Sequence, residues 1–290
     1  MSGLLNLVLA ITDAEVRLRL ARQDEDSLLR GDMIRVHDDI TPSLLIHQGL
    51  QIEAQQFALA QEVEKLGLHA TDLQKAKVLE RSNSLKRKFD AWITIQHLYL
   101  PFVALLRSRD DSSSTSPVAV QDLKLFLPSQ VTFPRDATGV IHFMRYEWDF
   151  RYAQAQETLN DLRGLLLLHS HMLKSRDRYV RGQHQLTRST KLLARVDEKL
   201  KMTATKYRRI RSALDNLSSA VLVVDWQNEL RPLTDNDITG LTCMDDSRSE
   251  GRKKLSWIWK VHGTGADADT STEAGEIFYL QTSIPITLRI

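Results

Sequence analysis

The feature that most constrains this chain is a stretch without a single proline, from Ile141 to Leu217. Within it Trp148, Tyr152, Ala155, Leu159, Leu162 and Leu166 keep the alternating spacing of one helical face. The pattern returns at Leu193, Val196, Leu200, Thr203, Tyr207, Ile210, Leu214 and Leu217. The two runs are out of phase by about one residue, and the RDRYVRGQHQLTRSTK stretch between them is polar. The spacing predicts a long, coiled-coil-like helix over 141–217, or two helices in tandem broken near Gly182. Unbroken, it would reach about 110 Å at 1.5 Å per residue. Such a rod cannot bury its stripe alone. The seam of Leu193, Leu200, Tyr207 and Leu214 must meet the rest of the chain, a second copy or another helical protein.

The first hundred residues also read as helices, because their start and stop signals are explicit. Thr12-Asp13-Ala14-Glu15 is a capping box, and Gly31 can end the helix that follows near Leu29. Thr41-Pro42 starts a second helix, since proline's missing N–H costs nothing at the first position. Ile52, Leu59, Val63 and Leu66 carry its apolar face, and Gly67 closes it. Thr71 with Gln74 opens a third helix, giving a helical hairpin. Leu85, Phe89, Trp92, Tyr99, Val103 and Leu106 form its stripe, in which Pro101 predicts a kink or break. The fold class is therefore all-α. The divisions expected are a helical hairpin region over 1–107, a flexible linker over 108–140 and the long basic helix over 141–217. A loop-rich segment follows over 218–290, its last sixteen residues without order. Two details qualify these divisions: Leu123–Leu127 could anchor the linker, and Ala220–Trp226 reads as a strand or a helix end.

Several function classes have no support in the residues. One cysteine, Cys243, allows no disulfide framework and no cysteine-based zinc site, and fits an intracellular, reducing compartment. The opening MSGLLNLVLAITDAE has no basic flank before its apolar run, so no secretory signal is expected. No segment approaches the roughly 18 apolar residues that would span a bilayer. Asp235-Asn236-Asp237-Ile238-Thr239-Gly240 resembles the first half of a calcium loop, with Asp246 at position twelve. A bidentate Glu is missing there and Cys243 occupies position nine, so a polar turn is the better reading. His169 and His171 point to opposite sides of a helix and cannot share a metal. No nucleophile, phosphate-binding or dinucleotide motif occurs. We expect no enzyme, no catalytic or metal-ligating residue, no cofactor and no small-molecule substrate.

Charge is the strongest remaining signal. Between Met172 and Arg211 there are thirteen Lys or Arg against three Asp or Glu, a local balance of +10 in a chain of net +2. On one unbroken helix, Lys174, Arg178, Arg181, Arg188, Lys191, Arg195, Lys199, Lys206 and Arg209 would share one arc beside the apolar seam. Such a stripe can track nucleic-acid phosphates. The competing reading is a charged flank neutralised by Asp24, Glu25, Asp26, Asp38 and Asp39. Near the C-terminus, EGRKKLSWIWK interleaves basic and aromatic residues; Trp257 and Trp259 read as anchors onto the helices rather than as base-stacking platforms.

A family resemblance runs from about Thr12 to Gly275. It is carried by GLQIEAQQ, HATDLQKAKVLERSNSLKRKFDAWITIQHLYLPFVALLR, LFLPSQV, SRDRYVRGQHQLTRS, YRRIRSAL, LRPLTDNDITGL and SEGRKKLSWIWKVHGTGADAD. These strings resemble, in order, the region that follows the catalytic domain in fungal Kyakuja–Dileera–Zisupton transposases. In that family a cysteine-rich segment and a retroviral-integrase-like nuclease domain precede this region. Neither has a counterpart in these residues, so no catalytic residue carries over. After Gly275 the sequence departs from the family's further basic helix, which implies a truncated or re-spliced reading frame or a decayed element copy. The resemblance implies a nuclear, non-catalytic tail that contacts DNA or mediates assembly. The alternative is a coiled-coil scaffold with no nucleic-acid role.

Overall fold

In the computed structural model the residues described are 12–32, 36–67, 69–113, 118–131, 138–240 and 256–260. Among them there are seven α-helices and no strand, so the chain is all-α. The chain divides into two compact units. The larger takes Ile11–Asp161 and Lys201–Pro232; the smaller takes Leu162–Leu200 and the described part of Leu233–Ile290.

The larger unit begins with α1 (Asp13–Arg30), α2 (Pro42–Lys65), α3 (Asp72–Tyr99) and α4 (Pro101–Ser113). Each predicted start signal forms. The Thr12 hydroxyl accepts from the Glu15 N–H while the Glu15 carboxylate accepts from the Thr12 N–H, and Thr71 and Gln74 make the same exchange. Thr41 caps α2 by accepting from the Leu44 N–H. Gly31 ends α1 in the left-handed region at φ 78°, which glycine adopts without steric cost. The α2–α3 pair is antiparallel: the Trp92 indole donates to the Leu45 carbonyl at 2.9 Å, Lys88 meets Gln55, and Arg81 pairs with Glu62. Gly49 permits this approach, because a Cβ there would stand 2.7 Å from the Trp92 ring. At Pro101 the helix breaks outright, with Leu100 leaving helical geometry at φ −132°.

The segment read as a flexible linker over 108–140 is packed along much of its length, which corrects that expectation. Helix α4 extends to Ser113, and Val120, Leu125 and Leu127 are buried. Two glutamines hold the passing backbone: Gln56 donates to the Val120 and Leu123 carbonyls, and Gln96 to those of Leu125 and Phe126. Phe126 takes a positive φ of 53° with Arg107 stacked over its ring at 5.0 Å. The apolar anchor read at Leu123–Leu127 thus forms, with Leu125 and Leu127 buried, while the amide-to-backbone bonds that hold it leave no periodic signature.

The proline-free stretch resolves into two helices, α5 (Ile141–Tyr179) and α6 (Gln183–Val221), so the single helix over 141–217 is replaced by the tandem alternative. The break falls at Gly182, whose φ of +85° no β-carbon-bearing residue would take without strain. Along α6 the predicted seam is buried within the chain: Leu193, Val196, Leu200, Tyr207, Ile210, Leu214 and Leu217 are each at most 8% exposed. Ala204 rather than Thr203 fills the fourth step. Of the two readings of Ala220–Trp226 the helix end holds: α6 runs through Ala220 to Val221, after which Leu222 and Asp225 take positive φ before the single turn of α7 (Trp226–Glu229).

Candidate nucleic-acid interface

Helix α6 is fixed at its C-terminal half by a buried ionic cluster in the larger unit. Arg151 of α5 is 2% exposed and pairs with Glu147 at 3.0 Å and with Glu53 of α2 at 2.5 Å. The backbone N–H and hydroxyl of Ser129 donate to Glu147 at 2.7 and 2.6 Å. Burial alone would lower the Arg151 pKa; the two carboxylates more than offset it and hold the guanidinium charged. Arg209 of α6 reaches the same Glu53 at 3.6 Å and stacks over Phe57 at 4.6 Å. Arg211 pairs with Asp215, donates to the Leu230 carbonyl and lies over Trp226. Tyr207, fully buried, donates to the Arg231 carbonyl, and burial pushes its pKa upward.

The N-terminal half of α6 has a different surface. Arg188, Lys191, Arg195 and Lys199 are all exposed, and none has an ion-pair partner among the described residues. At 100° per residue these four fall within about 80° of one another, so they form one stripe on α6. Lys206 is also exposed and unpaired among those residues, whereas Arg209 is engaged as described. At the end of α5 and in the turn, Lys174, Arg178 and Arg181 are exposed. Arg181 donates to the carbonyls of Asp177 and Val180, covering the C-terminal end of α5. The break at Gly182 therefore divides the nine cations read as one arc into an α5 group, a turn residue and an α6 stripe.

The acidic residues expected to neutralise the stripe do not do so. Asp24 is fully buried and accepts from the Ser43 N–H and the Tyr146 hydroxyl; burial and that carboxylate push the Tyr146 pKa upward. Glu25, Asp26, Asp38 and Asp39 are exposed, without an ion pair among the described residues.

In the smaller unit, His169 of α5 and Asp197 of α6 meet at 3.0 Å. Ile258 is fully buried and its carbonyl accepts from Arg163, while the Trp259 indole donates to the Thr239 carbonyl. The turn is thus held to α5 through the Ile258 carbonyl, while the Trp259 indole expected to anchor onto a helix meets the non-helical Thr239 instead. Asp235–Asp237 is a short helical turn in which Asp237 accepts from the N–H and hydroxyl of Thr234. Burial raises the Asp237 pKa, those bonds lower it, and the net shift is downward. Cys243, Asp246 and the last sixteen residues lie outside the described residues. Among the described residues no three His, Cys, Asp or Glu side chains converge as metal ligands, and no helix is long and apolar enough to cross a membrane.

Sequence reasoning missed two places. One is the Glu53–Glu147–Arg151 cluster, whose members are far apart in the chain and carry no motif. The other is a cleft of about 240 Å³ in the larger unit, lined by Val16, Arg19, Trp148, Asp149, Tyr152 and Trp226 among others. Two of its polar pairs are satisfied within it, Asp149 by Arg19 at 2.8 Å and the Tyr152 hydroxyl by Glu229, while the buried Trp226 indole N–H has no hydrogen-bond partner among the described residues. Burial still raises the Asp149 pKa. No protein-family model, no curated protein and no solved structure matches this chain.

Proposed function

We propose that this chain is a non-catalytic, DNA-contacting helical module of the kind its sequence resembles, the tail of a Kyakuja–Dileera–Zisupton transposase acting in the nucleus. The observation that carries the reading is the set of exposed cations on α6 without ion-pair partners among the described residues: Arg188, Lys191, Arg195 and Lys199. Four like charges on successive turns repel one another, and a linear polyanion relieves that repulsion by releasing its own counterions. Lys174, Arg178 and Arg181 extend the positive surface. Contact of this type reads phosphates and carries no base sequence. The scaffold alternative depends on an available apolar seam, and Leu193, Leu200, Tyr207 and Leu214 are instead buried within the chain.

The test is duplex binding by fluorescence anisotropy at low salt, comparing the full chain with a variant in which Arg181, Arg188 and Arg195 are all Glu. The reading expects sequence-independent binding that the triple variant loses at least tenfold, with helicity retained. Absent binding, or an unchanged triple variant, would favour the scaffold.

A further inference from the structure

The turn between α5 and α6 presents an unusual residue in an unusual place. Tyr179, the last residue of α5, is 74% exposed and makes no ring contact or hydrogen bond with any described residue. A tyrosine left this open forgoes the burial that normally holds large aromatics. Cations neighbour it in the chain: Arg178 precedes it, Arg181 follows by two residues, and Arg188 is the first Lys or Arg of α6. The nearest acid, Asp177, is held by Arg176 at 3.2 Å. From Arg181 to Arg188 every residue is exposed, including Leu186 at 51%. The turn is also well defined. The Val180 N–H closes α5 on the Arg176 carbonyl, the Leu186 N–H opens α6 on the Gly182 carbonyl, and Arg181 caps α5. Tyr179 is thus displayed from the end of a regular helix rather than from a loop of its own.

We propose that this turn recognises unpaired nucleotides, Tyr179 stacking on an exposed base while the adjacent Arg178 holds a flanking phosphate. Every base has a π-face, so an open aromatic ring within a cationic surface suits single-stranded DNA without regard to sequence. Paired bases are stacked inside the duplex and offer Tyr179 no face. The turn therefore supplies a preference for overhangs or locally melted DNA that the α6 stripe alone lacks. The inference rests on the DNA-contacting reading above but makes a separate claim, selectivity for unpaired bases. The two contributions also differ in their salt response. Phosphate contacts weaken as salt rises through counterion release, whereas a stacking preference contributes a ratio that salt changes little.

The experiment measures the affinity of the full chain for a blunt duplex and for the same duplex with short single-stranded overhangs, each at two salt concentrations. We expect the overhang substrate to bind roughly tenfold more tightly, the size of a single stacked base. Tyr179→Ala should remove that preference and leave blunt-duplex affinity unchanged, and Tyr179→Trp should restore it. Because the Tyr179 side chain is 74% exposed and makes no ring contact or hydrogen bond with a described residue, neither change should alter helicity or the unfolding midpoint. Equal affinities for the two substrates, or a preference that survives Tyr179→Ala, would overturn the proposal while blunt-duplex binding still supports the broader reading. Loss of all DNA binding in the unmodified chain would overturn both.

Discussion

The two halves of α6 both carry arginines beside the apolar seam and put them to opposite uses, while Lys206 in the C-terminal half stays exposed and unpaired among the described residues. From Lys201 to Val221, in the larger unit, the arginines that point beside the seam are consumed: Arg209 by Glu53 and Phe57, Arg211 by Asp215, Leu230 and Trp226. From Gln183 to Leu200, in the smaller unit, Arg188, Lys191, Arg195 and Lys199 face solvent without partners among the described residues. The apolar seam runs through both halves, so periodicity does not distinguish them. What differs is the neighbour. Over the C-terminal half, α2 brings a carboxylate and an aromatic face; no described residue brings either to the cations of the N-terminal half. Basic residues on one helix can thus be structural or available for a partner, and only the third dimension says which.

The first way to break this comparison is to attack the cluster that fixes the C-terminal half. Arg151→Ala would leave Glu147, fully buried, without a cation, and Glu53 with Arg209 alone. Removing one member of a buried ionic set costs about 3–5 kcal/mol because the remaining charges are uncompensated. Urea unfolding followed by circular dichroism should show that loss. A cost within that of an ordinary surface change would mean the cluster is not closed to water.

A smaller pair of changes sharpens the comparison within α6 itself. Arg209→Ala removes a half-exposed ion pair and a stacked guanidinium, and should cost about 1 kcal/mol. Arg195→Ala should stay within about 0.5 kcal/mol of the unmodified chain, since it touches nothing that folding requires. Equal costs for the two in the same urea series would erase the distinction between the halves.

Much of this architecture was legible before any coordinates. Capping boxes at Thr12 and Thr71, the Thr41-Pro42 start and the Pro101 break are local rules, settled by hydrogen-bonding chemistry within a few residues. The seam of α6 was legible because a repeat near seven residues survives whatever it packs against. Two things were hidden for a physical reason. The 118–131 segment is held by Gln56 and Gln96 from distant helices, and the partners of Arg151 and Arg209 come from α2; neither kind of contact leaves a pattern in sequence order. The candidate interface was legible only as a charge excess. Which cations are free, and that Tyr179 stands among them, follows from the break at Gly182 and the packing of α2.

The measurement that tests the central claim most directly is the salt dependence of duplex binding for two matched variants. One carries Arg188, Arg195 and Lys199 as Ala, and the other carries Arg209 and Arg211 as Ala. Each phosphate contact contributes about 0.9 to the slope of log affinity against log salt. The account predicts that the first variant flattens the slope by roughly two to three such contacts while keeping its unfolding midpoint. The second should keep the slope and lose stability. A first variant with an unchanged slope, or a second variant that alone flattens it, would contradict the division of α6 into a structural half and a DNA-contacting half.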